Sequence, residues 1–235
     1  MIDFKRKRRA YVMPLLNFIR KFLNVVKKYA FPTYKQNPTV YDLYKEEQIK
    51  KCYEHFKNHL KNSVLLPSEK IRLHALNAAK ENDNNSDNLY IEFGVFSGTS
   101  INYFSKNLKK KIYGFDSFEG LKEDWVGTTV TKGTFNLNKK VPKLNNNVVP
   151  IVGWIQDTLP QFMNEKNPKI NFVHMDVDTY ESSKFILEKI KPNLIKGAII
   201  LFDELYNFDG WDVGEYKALT EVFEEKEYKF ISFST

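Results

Sequence analysis

From residue 89 onward, short apolar runs that read as strands alternate with runs of helical periodicity, and this alternation most constrains the fold. The strand-like runs cover residues 89–93, 111–115, 148–152, 170–175, 198–202 and 228–233; helical runs cover 100–108, 158–164, 182–190 and 215–224. Such a chain builds a doubly wound, mostly parallel α/β sheet covered by helices on both faces. Ligands then bind outside the carboxyl ends of the strands. The site is expected immediately after each strand.

Two of these runs finish in acids. Residues 171–178 (NFVHMDVD) end in Asp176 and Asp178, and residues 197–204 (GAIILFDE) end in Asp203 and Glu204. Neighbouring strands lie about 4.8 Å apart, so adjacency would bring four carboxylates to one edge. Some of them then stay protonated, or a hard divalent cation such as Mg²⁺, Mn²⁺ or Ca²⁺ holds them. The plainer alternative is that each acid caps the helix that follows.

Residues 90–100 (YIEFGVFSGTS) read as a strand, a glycine turn and a helix start. Gly94 and Gly98 permit close backbone approach, and the free amides around Thr99 face a polar ligand. The spacing departs from the dinucleotide pattern G-x-G-x-x-G, and Glu92 stands where that fold wants an apolar residue. An acid there repels a pyrophosphate but accepts from the amino group of S-adenosylmethionine, which favours that cofactor over NAD. Asp116, beside Ser117, follows Gly94 by 22 residues, the interval at which an acid takes ribose hydroxyls. Farther on, Trp154 or Ile155 is placed to flank an adenine ring, with Gln156 or Asp157 on its exocyclic amine.

Charge and composition bound the rest. With 42% hydrophobic and 15% aromatic residues, 235 residues suffice for one α/β domain and an appended segment, but not for two full domains. The single cysteine, Cys52, excludes a disulfide framework and fits a reducing, cytoplasmic setting. The net charge is +7, yet residues 1–30 hold nine Lys and Arg against Asp3, which leaves −1 for the remainder. A nucleic-acid face on the folded body is therefore not expected.

The basic segment carries Leu15, Leu16, Phe18, Ile19, Phe22, Leu23, Val25 and Val26 at helical spacing. Arg20 and Lys21 interrupt it, so it reads as an amphipathic helix and neither a transmembrane span nor a signal peptide. Docking on the domain or on a second subunit of a homodimer is its first reading; peripheral contact of residues 11–29 with an anionic inner-membrane surface is the second. Three divisions result: a basic helical appendage (1–30), a linker and helix (31–67) and the main domain (68–235). The spacing predicts helices over 39–62 and from Pro67 onward. His55, His59 and His74 fall on these and are read as surface or packing residues. Residues 122–147, with little periodicity, are read as a lid.

The segments YIEFGVFSGTS, YGFDSFEGL, GWIQDTLP, MDVDTYES and LFDELYNFDGWDVGEYKA come in the order and spacing of the macrocin O-methyltransferase family, which this chain resembles over about residues 68–223. That resemblance implies a class I, Rossmann-like methyltransferase acting on a sugar or glycan hydroxyl. It is similar to catechol O-methyltransferase at the strand ends. Residue by residue it implies Asp176, Asp203 and Glu204 on Mg²⁺, Asp178 as the base, and Glu92, Gly94, Asp116 and Gln156 on the cofactor. It also implies a final antiparallel strand after KFISF. Ser97 and Glu204 depart from the family's usual Arg and Asp. His174 is read as a packed or supporting histidine, and Tyr180 and Trp211 as walls of an acceptor pocket. The rival readings are an NAD-dependent oxidoreductase and a membrane-docked, non-catalytic adaptor.

Overall fold

The computed structural model describes residues 38–85 and 87–235. The expected appendage (1–30), the membrane contact through residues 11–29 and most of the linker lie outside the described residues. The chain divides into two units, residues 1–44 and 45–235. Helix α1 (Val40–Lys61) begins behind a reciprocal cap, and its residues from 45 onward belong to the second unit. Thr39 donates its N–H to Asp42 Oδ2 at 3.0 Å, and its Oγ1 accepts the Asp42 N–H at 3.1 Å.

The second unit holds β1 (Val64–Leu66), α2 (Ser68–Asn82), β2 (Leu89–Phe93), α3 (Thr99–Lys106), β3 (Ile112–Asp116), β4 (Val148–Val152), α4 (Ile155–Lys166), β5 (Ile170–Met175), α5 (Tyr180–Ile190), β6 (Leu194–Phe202), α6 (Glu215–Val222) and β7 (Ser232–Ser234). Five strands form one parallel sheet in the order β4-β3-β2-β5-β6. The chain leaves β2 toward one edge and later returns through β5 toward the other, so the switch point lies between β2 and β5.

Burial follows the pleat. Ile91, Phe93, Val173 and Met175 pack with Leu159 and Phe162 of α4, Ile186 and Leu187 of α5, and Leu219 of α6. On the opposite face Tyr90 and Phe172 meet Leu76 and Ala79 of α2 and Ile101 and Phe104 of α3. Every residue of β5 is buried, as a central parallel strand requires. The same alternation puts Glu92 and His174 on the α3 face, where they are register partners.

Two expectations change. The fifth expected strand begins earlier, at Leu194, which pairs with Ile170; Gly197, at φ +81°, carries the irregularity before the regular register resumes. The sixth does not join the main sheet. Only Ser232–Ser234 is extended, and it pairs in parallel with β1. Phe230 and Phe233 instead pack with Phe56, Trp211 and Cys52. His55 and His59 contribute ring contacts to that cluster, against Trp211 and Phe230 respectively. Among the described residues, no helix is long and apolar enough to cross a membrane.

Candidate active site at the sheet switch point

A cavity of about 320 Å³ opens at the carboxyl ends of β2, β3 and β5. Its walls include Gly94, Thr99, Asp116, Ser117, Trp154 and Gln156 on one side, and Asp176, Asp178 and Glu204 on the other. The two sides meet where the glycine turn touches the end of β5. A Cβ on Gly94 would lie 1.6 Å from the carbonyl oxygen of Asp176, and the residue's φ is +85°. Only glycine lets these chains approach so closely.

Asp116 organises the turn. Its Oδ2 accepts the N–H groups of Val95 at 2.8 Å and Phe96 at 2.7 Å, and its Oδ1 accepts that of Phe118 at 2.6 Å. Ser117 accepts the Glu119 N–H. Gly98, at φ +79°, is buried and precedes α3. Across the cavity, the Lys122 ammonium sits 5.5 Å from the Trp154 ring centre. Gln156 Oε1 is buried and makes no hydrogen bond, an acceptor held ready at the wall.

Glu92 and Asp157 do not reach this cavity. Glu92 is wholly buried: Ser100 Oγ donates to its Oε1 at 2.9 Å, and its Oε2 lies 3.0 Å from His174 Nδ1. The pleat turns it under α3, where Ser100 links it to the first turn of that helix. Asp157 points outward from the first turn of α4 because its neighbour Gln156 takes the inward position.

Oxygens of Asp176, Asp178 and Glu204 lie within 4.8 Å of one another, and a second grouping joins Asp176 to His174 and Asp203. The four acids thus meet, though not as a single set. Asp203 is turned toward Arg72, whose Nη2 donates to Oδ1 at 2.9 Å, and toward His174 Nε2 at 3.6 Å, an ion-pair distance beyond a hydrogen bond. Burial pushes Asp176 up to about 7 and Asp178 up to about 6, and nearby carboxylates add to both. Glu204 rises to about 11 through burial and then Glu215 beside it. His174 goes the other way from an ordinary buried imidazole. Burial would lower it, but Asp203 and Glu92 raise it to about 10. For Asp203, burial is outweighed by His174 and Arg72, and its pKa falls to about 2.

These directions describe an acid cluster that holds protons where a counter-charge would otherwise sit, with one Glu204 oxygen buried and unpartnered. Asp176 and Glu204, with Asp178 beside them, offer hard oxygen donors that fit a divalent cation. Asp178 also sits at φ +64°, a backbone state that costs a non-glycine residue about 1–3 kcal/mol and that concentrates at functional sites.

The expected aromatic walls are different residues. Trp211 is buried among Cys52, Phe56 and Phe233, and Tyr180 donates to Glu221 on the α5–α6 surface. Phe96, Trp125 and Phe135 line the cavity instead, the last two from the 122–147 segment. That segment is pinned by Leu121–Thr134 backbone pairing and by Gly127, which packs on Gly210. Arg72 escapes a reading of motifs because it lies on α2, far along the chain from Asp203, whereas Ser100 and Glu215 fall inside the quoted segments and only their partners, Glu92 and the Glu204 amide, are set by the fold. Only the buried position of Glu215 in an apolar stripe would signal it.

A family model described as a methyltransferase domain matches residues 91–205. No curated protein sequence matches the chain. A solved structure of CalS11, described as a calicheamicin methyltransferase, is 23% identical with a TM-score of 0.55, over 82% of this chain and 88% of that one. An apo structure of CalS11, described as a TDP-rhamnose 3'-O-methyltransferase, is 23% identical with a TM-score of 0.48, over 76% and 86%. The O-methyltransferase NovP is 20% identical with a TM-score of 0.43, over 57% and 64%. The fold is that of a class I methyltransferase, and the match to the methyltransferase-domain model spans β2 to the end of β6 within it.

Proposed function

We propose that this protein transfers the methyl group of S-adenosylmethionine to a hydroxyl of a vicinal diol, on a sugar or glycoconjugate, with a hard divalent cation. The observation that carries the reading is the shared wall: the glycine turn and the acid cluster face one cavity, joined at the contact of Gly94 with Asp176.

Bound S-adenosylmethionine supplies an electrophilic methyl on a sulfonium. Asp116 takes the ribose hydroxyls with lone pairs not committed to the turn, Trp154 flanks the adenine and Gln156 Oε1 accepts from its amine. Asp176 and Glu204 hold the cation, with Asp203 kept ionised behind them by Arg72 and His174. When bound, the cation lowers the pKa of a chelated hydroxyl. Asp178, at the cavity wall two residues beyond Asp176, takes the hydroxyl proton as the base. Phe96, Trp125 and Phe135 exclude water from the transfer.

Calorimetry with S-adenosylhomocysteine, with and without Mg²⁺, tests the binding half. The Asp178→Ala variant tests the base: it should keep cofactor and Mg²⁺ affinity and lose turnover. Loss of Mg²⁺ binding in that variant would make Asp178 a ligand instead, and tight NADH binding by the native protein would return the oxidoreductase reading.

A further inference from the structure

We infer that Glu215 is a positioning residue for the acid cluster, holding the main chain of Glu204 so that its carboxylate faces Asp176 and Asp178. The inference rests on the cation-site reading above.

The last ladder bond between β5 and β6 is donated by Asp203 to the Met175 carbonyl at 3.0 Å. Glu204 lies one residue beyond it, where no strand partner exists for its N–H. Glu215 Oε2 supplies the acceptor, at 3.1 Å. The contact closes the neck of the excursion formed by residues 205–214, so the start of α6 is tied directly to the end of β6. Glu215 is wholly buried, and its Oε1 has no hydrogen-bond partner. A buried carboxyl group with one oxygen unmatched is a costly way to satisfy a single amide. The reach of a glutamate side chain is needed because α6 starts at the far side of the neck.

The mechanism predicts which property of the side chain matters. Glutamine retains an acceptor oxygen at the same reach; aspartate retains the carboxyl group and is one methylene shorter. Mn²⁺ titration and S-adenosylhomocysteine calorimetry on Glu215→Gln and Glu215→Asp separate the two. Glu215→Gln should bind Mn²⁺ within about threefold of the native protein, and Glu215→Asp should lose about 10–100-fold, the usual loss for a displaced supporting group. Cofactor-analogue affinity should hold in both. Hydrogen exchange at the Glu204 amide should accelerate in Glu215→Asp and stay slow in Glu215→Gln. The reverse order of Mn²⁺ affinities, or an unchanged Glu204 amide in Glu215→Asp, overturns the inference. A native protein that binds no Mn²⁺ removes the cation reading, while the exchange result still judges the contact.

Discussion

His174 Nδ1 stands 3.0 Å from Glu92 Oε2 with both side chains wholly excluded from solvent, and the two are register partners on the central strands β2 and β5. Beyond them the chain of charge continues to Asp203 and Arg72 on one side and to Ser100 on the other. The glycine turn and the acid cluster are thereby joined below the cavity floor as well as across it.

Breaking that pair from one side strands a buried charge. Glu92→Leu should destabilise the protein by about 3–5 kcal/mol, and the double replacement Glu92→Leu with His174→Leu should cost less than the sum of the single changes. Urea unfolding of the three variants measures this. Additive losses would mean that the two groups do not support one another.

Replacing Gly94 by alanine sets a methyl group onto the Asp176 carbonyl and demands φ +85° of a residue that avoids it. The backbone must move, because the obstacle is itself backbone. S-adenosylhomocysteine affinity should fall by more than about tenfold, given a conformational cost of about 1–3 kcal/mol before any clash is counted. Near-native affinity would show that the turn does not form this part of the site.

Asp116→Ala removes the acceptor of three backbone N–H groups. Hydrogen bonds to a charged group contribute about 1.5–3 kcal/mol each, so the turn should loosen even without ligand. Amide exchange at Val95, Phe96 and Phe118 should quicken by at least tenfold. Unchanged exchange would confine Asp116 to ligand contact.

The raised pKa values fix a sign for stability. Asp176, near 7, and Asp178, near 6, bind protons in the folded state that they release when unfolded, where carboxyls titrate near 4. Their contribution is complete below about pH 4 and is lost as pH climbs through 6 and 7. His174, raised to about 10, acts in the same sense above its unfolded value of 6.5. Asp203, lowered to about 2, varies only below this range. Without divalent ions, the melting temperature should therefore fall from pH 5 to pH 9. Added Mg²⁺ should raise it more at pH 8 than at pH 5, since the ion replaces the protons. A flat profile with no response to Mg²⁺ would remove the cation from the cluster.

Local pattern alone placed most of the sheet. Strands β2, β4 and β5 have the boundaries expected from their apolar runs, and the four acids, Asp116 and the glycine turn were visible as strand-end residues. Such features are legible because a buried parallel strand must be apolar throughout and its ligand-facing residues must follow it directly in the chain. The last expected strand failed for the converse reason: which neighbour a short apolar run pairs with is a non-local choice, and here β1 took it.

What a residue's local pattern determined, then, was that it sits in a strand, a turn or a helix start. What only the tertiary structure decided was which side chains share an environment. The pleat sent Glu92 beneath the site to His174. Packing of α2 against β6 brought Arg72 to Asp203, and sheet order left Asp178 with Asp176 and Glu204. The return of α6 delivered Glu215, 11 residues on, to the Glu204 amide. Burial and charge act through space, over a few ångströms, and no spacing along the chain encodes them.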